Sequence, residues 1–293
     1  MSYYFTKSGW FDRLLTSIQY VIPQQGLSRL VFKITRLALG PLTYWFIRGF
    51  IKLYQVDMNS AQFPEVSYYT TFNQFFTRAL KPTARPLSKQ AEIISPVDGE
   101  ISQIGHIEQG QLLQAKNHFF QLEDLLATQT DIVTRFKPGL FCTLYLSPRD
   151  YHRVHMPVTG QLTDMVYVPG CLFSVNQRTS RVVPNLFARN ERVICLFTTA
   201  VGPMALILVG ALLVGSIETV WAGVITPNHL SQVQRWHYPT TSAPVLSQGT
   251  ELGRFNMGST VILLFDSNKI SWLSEITVTH KLFMGQSLAR CLP

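Results

Sequence analysis

Three short stretches hold residues able to do chemistry: "SPVDGE" (95–100) with Asp98, "YHRVH" (151–155) with His152 and His155, and "NMGST" (256–260) with Ser259. A carboxylate, an imidazole and a hydroxyl are the set that activates a nucleophile: the base takes the hydroxyl proton and the acid orients the base. Spacing alone does not bring them together, and each has an ordinary alternative. Asp98 sits on a Pro-Val-Asp-Gly turn, where aspartate caps backbone. The histidines could be plain turn residues; as an i, i+3 pair they share a side on a helical turn but face opposite ways in a strand. They lack a visible third and fourth partner for zinc, so no metal site is expected. An acid–base role suits imidazole, which titrates near physiological pH. Gly-Ser recurs at Gly215-Ser216 inside a strand pattern, where glycine marks a bulge or close approach, so that dipeptide is a weak signal by itself. Ser259 differs in lying on a turn whose glycine tolerates strained backbone, directly before the apolar run Val261 to Phe265.

The elements that must position these residues are mostly strands. From about Ile93 onward, "EIISPVDGEISQIG", "LFCTLYLSP", "VTGQLTDMVYVPG", "RVICLFTT", "ETVWAGVI", "STVILLF" and "ITVTHKLF" alternate with Gly, Pro and Asn turns. Such spacing predicts a mostly antiparallel sandwich or barrel-like core. No charge falls between Arg192 and Glu218, but Gly202-Pro203, Gly210 and Gly215 cut that stretch into strand-length runs; buried strands fit it better than one spanning helix.

The N-terminus reads as helical. Leu27, Leu30, Val31, Ile34, Leu37 and Ala38 recur at helical spacing over Leu27 to Leu39, with Arg29, Lys33 and Arg36 on the opposite face. Trp10 to Ile22 repeats the pattern more roughly, ended by Pro23, and Leu37 to Ile47 is uncharged but interrupted by Gly40 and Pro41. Eleven residues fall short of the roughly 20 that span a bilayer. Residues 1–54 carry seven bases against Asp12, six of the chain's eight net positive charges. These bases alternate with Trp, Phe, Leu and Ile, which favours an anionic lipid surface over nucleic acid. A helical cap packed on the protein's own core is the alternative. With 46% hydrophobic and 14% charged residues and a mean hydropathy of +0.13, the composition lies between those of free cytosolic and integral membrane proteins. The four cysteines form no CxxC or metal spacing and are expected as free thiols.

At this point the chain resembles the bacterial, membrane-associated, pyruvoyl-dependent phosphatidylserine decarboxylases. The likeness rests on six motifs in order: "FNQFFTRALKPTARP" (72–86), "SPVDGEI" (95–101), "YHRVHMPVTG" (151–160), "LFSVN" (172–176), "VGALLVGSI" (209–217) and "MGST" (257–260). Met257 stands where the family usually has Leu, a swap of similar volume.

The resemblance implies an α+β fold with an N-terminal helical membrane-association segment (1–70) and a β-rich catalytic domain (71–293). It implies that Ser259 attacks the carbonyl of Gly258, that β-elimination splits the chain into a β chain (1–258) and an α chain (259–293), and that residue 259 becomes a pyruvoyl group. His155 would be the base for self-processing, Asp98 its orienting acid, and His152 the group for protonation and substrate positioning. The covalent pyruvoyl cofactor would form a Schiff base with phosphatidylserine, releasing CO2 and phosphatidylethanolamine. The implied partners are the phospholipid and an anionic membrane, with no nucleic acid; the cleaved α and β chains would stay together, and the family can form homodimers. The implied location is the cytoplasmic side of the cell membrane, held peripherally. Two readings compete: a conventional serine hydrolase using Ser259, His155 and Asp98, and a non-catalytic membrane-bound β module.

Overall fold

The computed structural model describes residues 9–89, 92–115, 118–213, 216–227, 231–256, 259–266 and 268–292. Gly215, Met257 and the Gly258 side of the expected cleavage site lie outside the described residues. The fold is α+β. Its main sheet is antiparallel throughout and runs Gln234–His237, Gly160–Val168, Arg192–Thr199, Gly202–Val209, Ser259–Asp266, Gly139–Leu146, Gly99–Ile107, Lys281–Leu282; Val245–Leu246 also pairs with Gly160–Val168. The order does not return on itself, so among the described residues the sheet is open and no closed barrel forms.

Strand Ser259–Asp266 lies inside this sheet, laddered to Gly139–Leu146 on one side and Gly202–Val209 on the other. Its side chains feed two separate cores: Val261, Leu263 and Phe265 enter one, Ile262 and Leu264 the other. A strand buried on both faces needs apolar residues at successive positions, which explains the unbroken run after Ser259. The same holds for Gly202–Val209, the apolar stretch expected as strand, and no helix among the described residues is long and apolar enough to cross a membrane. A smaller sheet, ordered Gly223–Val224, Ile217–Thr219, Glu251–Phe255, Arg153–His155, carries the second histidine. The expected strand at "ITVTHKLF" shrinks to Lys281–Leu282, because Thr279 adopts positive φ and donates its N–H to the Ile101 carbonyl in a turn.

Helices α1 (Trp10–Val21), α2 (Gln24–Ile34) and α3 (Pro41–Tyr54) precede the sheets, with the short α4 (Phe72–Phe76) after them. Gly40 and Pro41, read as an interruption, start α3: proline at the first helical position has no N–H to lose. The polar stripe of α1 and α2 faces the protein. Gln19 and Gln24 accept the backbone N–H groups of Ser174 (2.8 Å) and Leu172 (2.7 Å), Gln25 donates to the Gly170 carbonyl (2.8 Å), and Asp12 pairs with Arg178 and Arg181. The apolar stripe faces out: Leu14, Ile18, Leu30 and Ile34 are exposed, as are Trp45, Phe46 and Leu53 on α3. These side chains are therefore not a cap packed on the core. Beneath α3, Ile47, Val56, Tyr69, Phe75 and Phe76 form a small third core.

Arg192 anchors the far end. It is buried, and its guanidinium donates to the carbonyls of Asp124 (2.6 Å), Leu125 (2.8 Å), Ala188 (2.6 Å) and Asn190 (2.9 Å). These acceptors sit at the ends of the helical turns Leu122–Leu125 and Leu186–Arg189, whose last carbonyls have no partner within the turn. Burial lowers the Arg192 pKa to about 10, so it stays charged at neutral pH. Arg192→Met keeps the bulk and orphans the acceptors; a loss of roughly 2–4 kcal/mol is expected, read as a lower denaturation midpoint at unchanged slope.

Candidate active site

The strand register sets where Ser259 stands. It pairs with Leu146, the last residue of its strand, so it lies beside the loop that leads through Ser147 and Tyr151 to the histidines. The segment approaching Ser259 is tied down on two sides. Phe255 donates its N–H to the His152 carbonyl (3.0 Å), while Asn256 donates its N–H to the Ser216 carbonyl (3.0 Å) and its amide to Ser216 Oγ (2.8 Å). Ser216, of the second Gly-Ser pair, thus supports the segment that carries the first. Ser259 is fully buried, and its Oγ has no hydrogen-bond partner among the described residues. Buried polar atoms are paired in the great majority of cases, so this hydroxyl, like that of Thr260 beside it, calls for an explanation. It lines a cavity of about 160 Å³ with Phe50 and Tyr54 of α3, Phe76 and Tyr145.

The two histidines face different surroundings, as a strand-like setting requires. His152 is fully buried, its ring stacked on Phe76 at 4.2 Å; among the described residues neither ring nitrogen makes a well-formed hydrogen bond, the nearest acceptors being the backbone of Pro148 and Ser147. Burial, with the nearby charge of Arg78, pushes its pKa down to about 3, so it is held neutral. His155 is nearly buried. Its Nδ1 lies 2.8 Å from the Gly249 carbonyl and its Nε2 3.0 Å from the Tyr151 hydroxyl. A carbonyl can only accept, so Nδ1 carries the proton and the Nε2 lone pair accepts from Tyr151. Nε2 is therefore the basic nitrogen. Burial lowers the pKa of His155 and Arg153 lowers it further, while the Gly249 carbonyl, Glu251 and Asp98 oppose the shift.

Asp98 is buried at the end of its turn. It takes a two-pronged contact from Arg85, Nε to Oδ1 at 2.9 Å and Nη2 to Oδ2 at 2.5 Å, and accepts the Met284 N–H at 2.8 Å. Gly99 follows because its α-carbon runs against the Tyr145 carbonyl: a β-carbon there would come within 2.7 Å of that oxygen. No hydrogen bond joins Asp98 to His155, or His155 to Ser259. The stretches are nonetheless neighbours: His155 donates its N–H to the Pro96 carbonyl (2.9 Å), and Asp98 and Tyr151 line one cavity of about 410 Å³. All three motifs thus meet at one end of the main sheet.

Sequence reasoning missed Arg85, Tyr151, Asn256 and Phe76. Tyr151 adjoins His152 in the motif and Arg85 precedes Pro86 in "TARP", but nothing in residue type or period distinguishes them. Among the described residues no group of three His, Cys, Asp or Glu is placed to hold a metal.

Comparison with known proteins finds matches over nearly the whole chain. Residues 72–290 match the phosphatidylserine decarboxylase family, and residues 14–55 match a second family described as PSD. The phosphatidylserine decarboxylase proenzyme of Photobacterium profundum is 50% identical over 281 residues, covering 95% of this chain and 97% of that one. The proenzyme of the same name from Yersinia pestis is 50% identical over 286 residues, covering 96% and 98%. The chain belongs to the phosphatidylserine decarboxylase family, a family of carboxy-lyases.

Proposed function

We propose that this chain converts phosphatidylserine to phosphatidylethanolamine and CO2 with a pyruvoyl group made from its own Ser259. The observation that carries the reading is the buried, unpaired Ser259 hydroxyl, on a cavity wall at the start of a strand laddered on both sides. The relatives' description as proenzymes supports a chain that must be processed before it works. Membership in a lyase family speaks against both the hydrolase and the non-catalytic module.

In self-processing, Ser259 Oγ adds to the Gly258 carbonyl carbon and its proton passes to Nε2 of His155. Asp98 raises the basicity of that ring through space, and Tyr151 and Gly249 hold its tautomer. The C–N bond then breaks to leave an ester and a free amine. Loss of the α-proton of residue 259 expels the Gly258 carboxylate, and water replaces the nitrogen, releasing ammonia and leaving a ketone. The residues present suit such a group: a small, largely apolar cavity surrounds position 259. Once formed, the pyruvoyl group supplies a sink for the electrons freed with CO2. His152 positions the headgroup and delivers the proton to the former α-carbon. An anion arriving beside a neutral buried imidazole raises its pKa, so substrate entry would move the ring toward its charged, proton-donating form.

The cut chains would stay associated. The new α chain contributes Ser259–Asp266 to the main sheet, Lys281–Leu282 to its edge, and Ile270–Trp272 and Ser287–Cys291 to a third sheet. Intact mass of the purified protein tests the proposal: it should resolve fragments 1–258 and 259–293, the smaller one reacting at its first residue with hydroxylamine. A single unbroken chain that still releases CO2 would sink it.

Residues 1–70 would bind the membrane from the cytoplasmic side, leaving 71–293 as the catalytic unit. The outward apolar stripe of α1–α3, flanked by bases, suits an interfacial position with the site opening beside α3. Replacing Trp45 (74% exposed) and Phe46 (60% exposed) by Asp is expected to weaken cosedimentation with phosphatidylserine/phosphatidylcholine vesicles by about tenfold or more, leaving thermal stability unchanged.

A further inference from the structure

We propose that the cavity of about 410 Å³ behind Tyr145 is an oxyanion site for the lipid headgroup, with Arg78 as its principal cation. The inference rests on the reaction proposed at Ser259. Tyr145 lies on the wall of both cavities, the apolar one holding Ser259 and this polar one.

Arg78 is 4% exposed. Its Nη2 reaches the Arg149 carbonyl at 3.3 Å and its guanidinium stands 5.5 Å over the Phe75 ring, but its Nε has no partner among the described residues. None of its nitrogens lies within ion-pair distance of a carboxylate of the described residues. Asp98, Asp57 and Asp150 act on Arg78 only through space; a buried cation without a direct counter-ion is costly, and the cavity it lines is where one can be supplied. The neighbouring acids are otherwise engaged. Asp98 is paired with Arg85, Glu100 accepts from Gln177 (2.6 Å), and Asp57 accepts the Asn59 N–H (2.9 Å). Asp150 accepts both the N–H and the hydroxyl of Ser147 at 2.7 Å. Lys281, on the exposed rim, also has no ion pair with a described residue, and Arg149 reaches Asp150 only at 4.0 Å.

A lipid with its tails along α3 and its amine at Ser259 must direct its charge away from the apolar cavity. The polar cavity across Tyr145 receives it, and the oxyanion is either the phosphate diester or the serine carboxylate. Both are planar-facing oxygen pairs that a guanidinium binds in a two-pronged way.

The test uses the full-length Ser259→Ala chain, so that binding is read without turnover. Calorimetric titration with glycerophosphoserine should show binding that Arg78→Gln weakens about tenfold or more, with the melting temperature unchanged or raised. A purely structural Arg78 would instead lower the melting temperature and leave the affinity alone. Glycerophosphoethanolamine and L-serine identify the anion: the first binds if the phosphate is held, the second if the carboxylate is. Lys281→Gln, at the rim, reads the same site if Arg78→Gln fails to fold, and should weaken binding about threefold. Unchanged affinity in the folded variants, or no binding of any probe to Ser259→Ala, overturns the proposal. Self-cleavage of the natural chain is scored separately by mass, so an uncut chain would count against the Ser259 reaction and not against the anion site.

Discussion

Ser259→Ala is expected to leave one polypeptide of 33.2 kDa and to lower CO2 release from phosphatidylserine by at least about 10⁴-fold. On the proposed reaction, the size of the effect follows from one residue serving twice, first as the nucleophile that opens the backbone and then as the carbonyl that traps the amine. Misfolding is not the expected route. The Ser259 hydroxyl is buried without a partner among the described residues, so removing it deletes an unsatisfied group and should hold or raise the melting temperature. Ser259→Cys supplies the contrasting case: a thiol can perform the same acyl shift and elimination, so partial cleavage should persist. Denaturing gels of the three proteins, read beside their melting temperatures, decide the matter. An alanine variant that is still cut between 258 and 259 would remove Ser259 from the chemistry altogether.

The second expected result concerns His155. Its Nδ1 proton is committed to the Gly249 carbonyl, so only Nε2 can accept the hydroxyl proton, and only while the ring is neutral. Burial lowers its pKa below the ordinary 6.5. A base with a lowered pKa stays mostly neutral as the pH falls to 6.5, so the acid limb of the self-cleavage rate should have its midpoint below 6.5. An unperturbed imidazole would already be half lost at 6.5. His155→Gln should slow cleavage by about 10²–10⁴-fold and abolish the acid limb. Stop-time gels of freshly refolded protein across pH give the profile; a midpoint at or above 6.5 would contradict the assignment. Stability follows the same sign. Below pH 6.5 the unfolded chain takes up protons that the buried rings refuse, so folding weakens with acid. For His152, neutral down to about pH 3, the loss at pH 5 is about 2 kcal/mol, and His152→Asn should flatten that slope.

The α2 helix separates what is readable locally from what is not. Its amphipathic period is plain in the sequence, yet the helix runs Gln24–Ile34 instead of Leu27–Leu39. Its C-terminal limit is set from outside: Thr35 gives its carbonyl to the Asn73 N–H and its own hydroxyl turns back to Val31, so Leu37 and Leu39 fall in the exposed segment before α3. Periodicity showed that the helix has two faces; which one docks is decided by the Gly170 carbonyl and the Leu172 N–H, which receive Gln25 and Gln24.

The types of the candidate residues, their order along the chain and the buried strand after Ser259 were all legible, because each depends on neighbours a few positions away. The partners were not. Arg85 with Asp98, Tyr151 and Gly249 with His155, and Arg78 at its cavity are matched across strands whose register is set by long-range pairing. Residue 155 and residue 249 meet because Arg153–His155 pairs with Glu251–Phe255, and no local pattern encodes that ladder. Hydrogen-bond choice in a buried site is settled only when the competing donors and acceptors have been carried into reach. Composition and motif therefore name the chemistry, while packing assigns each group its partner and its proton.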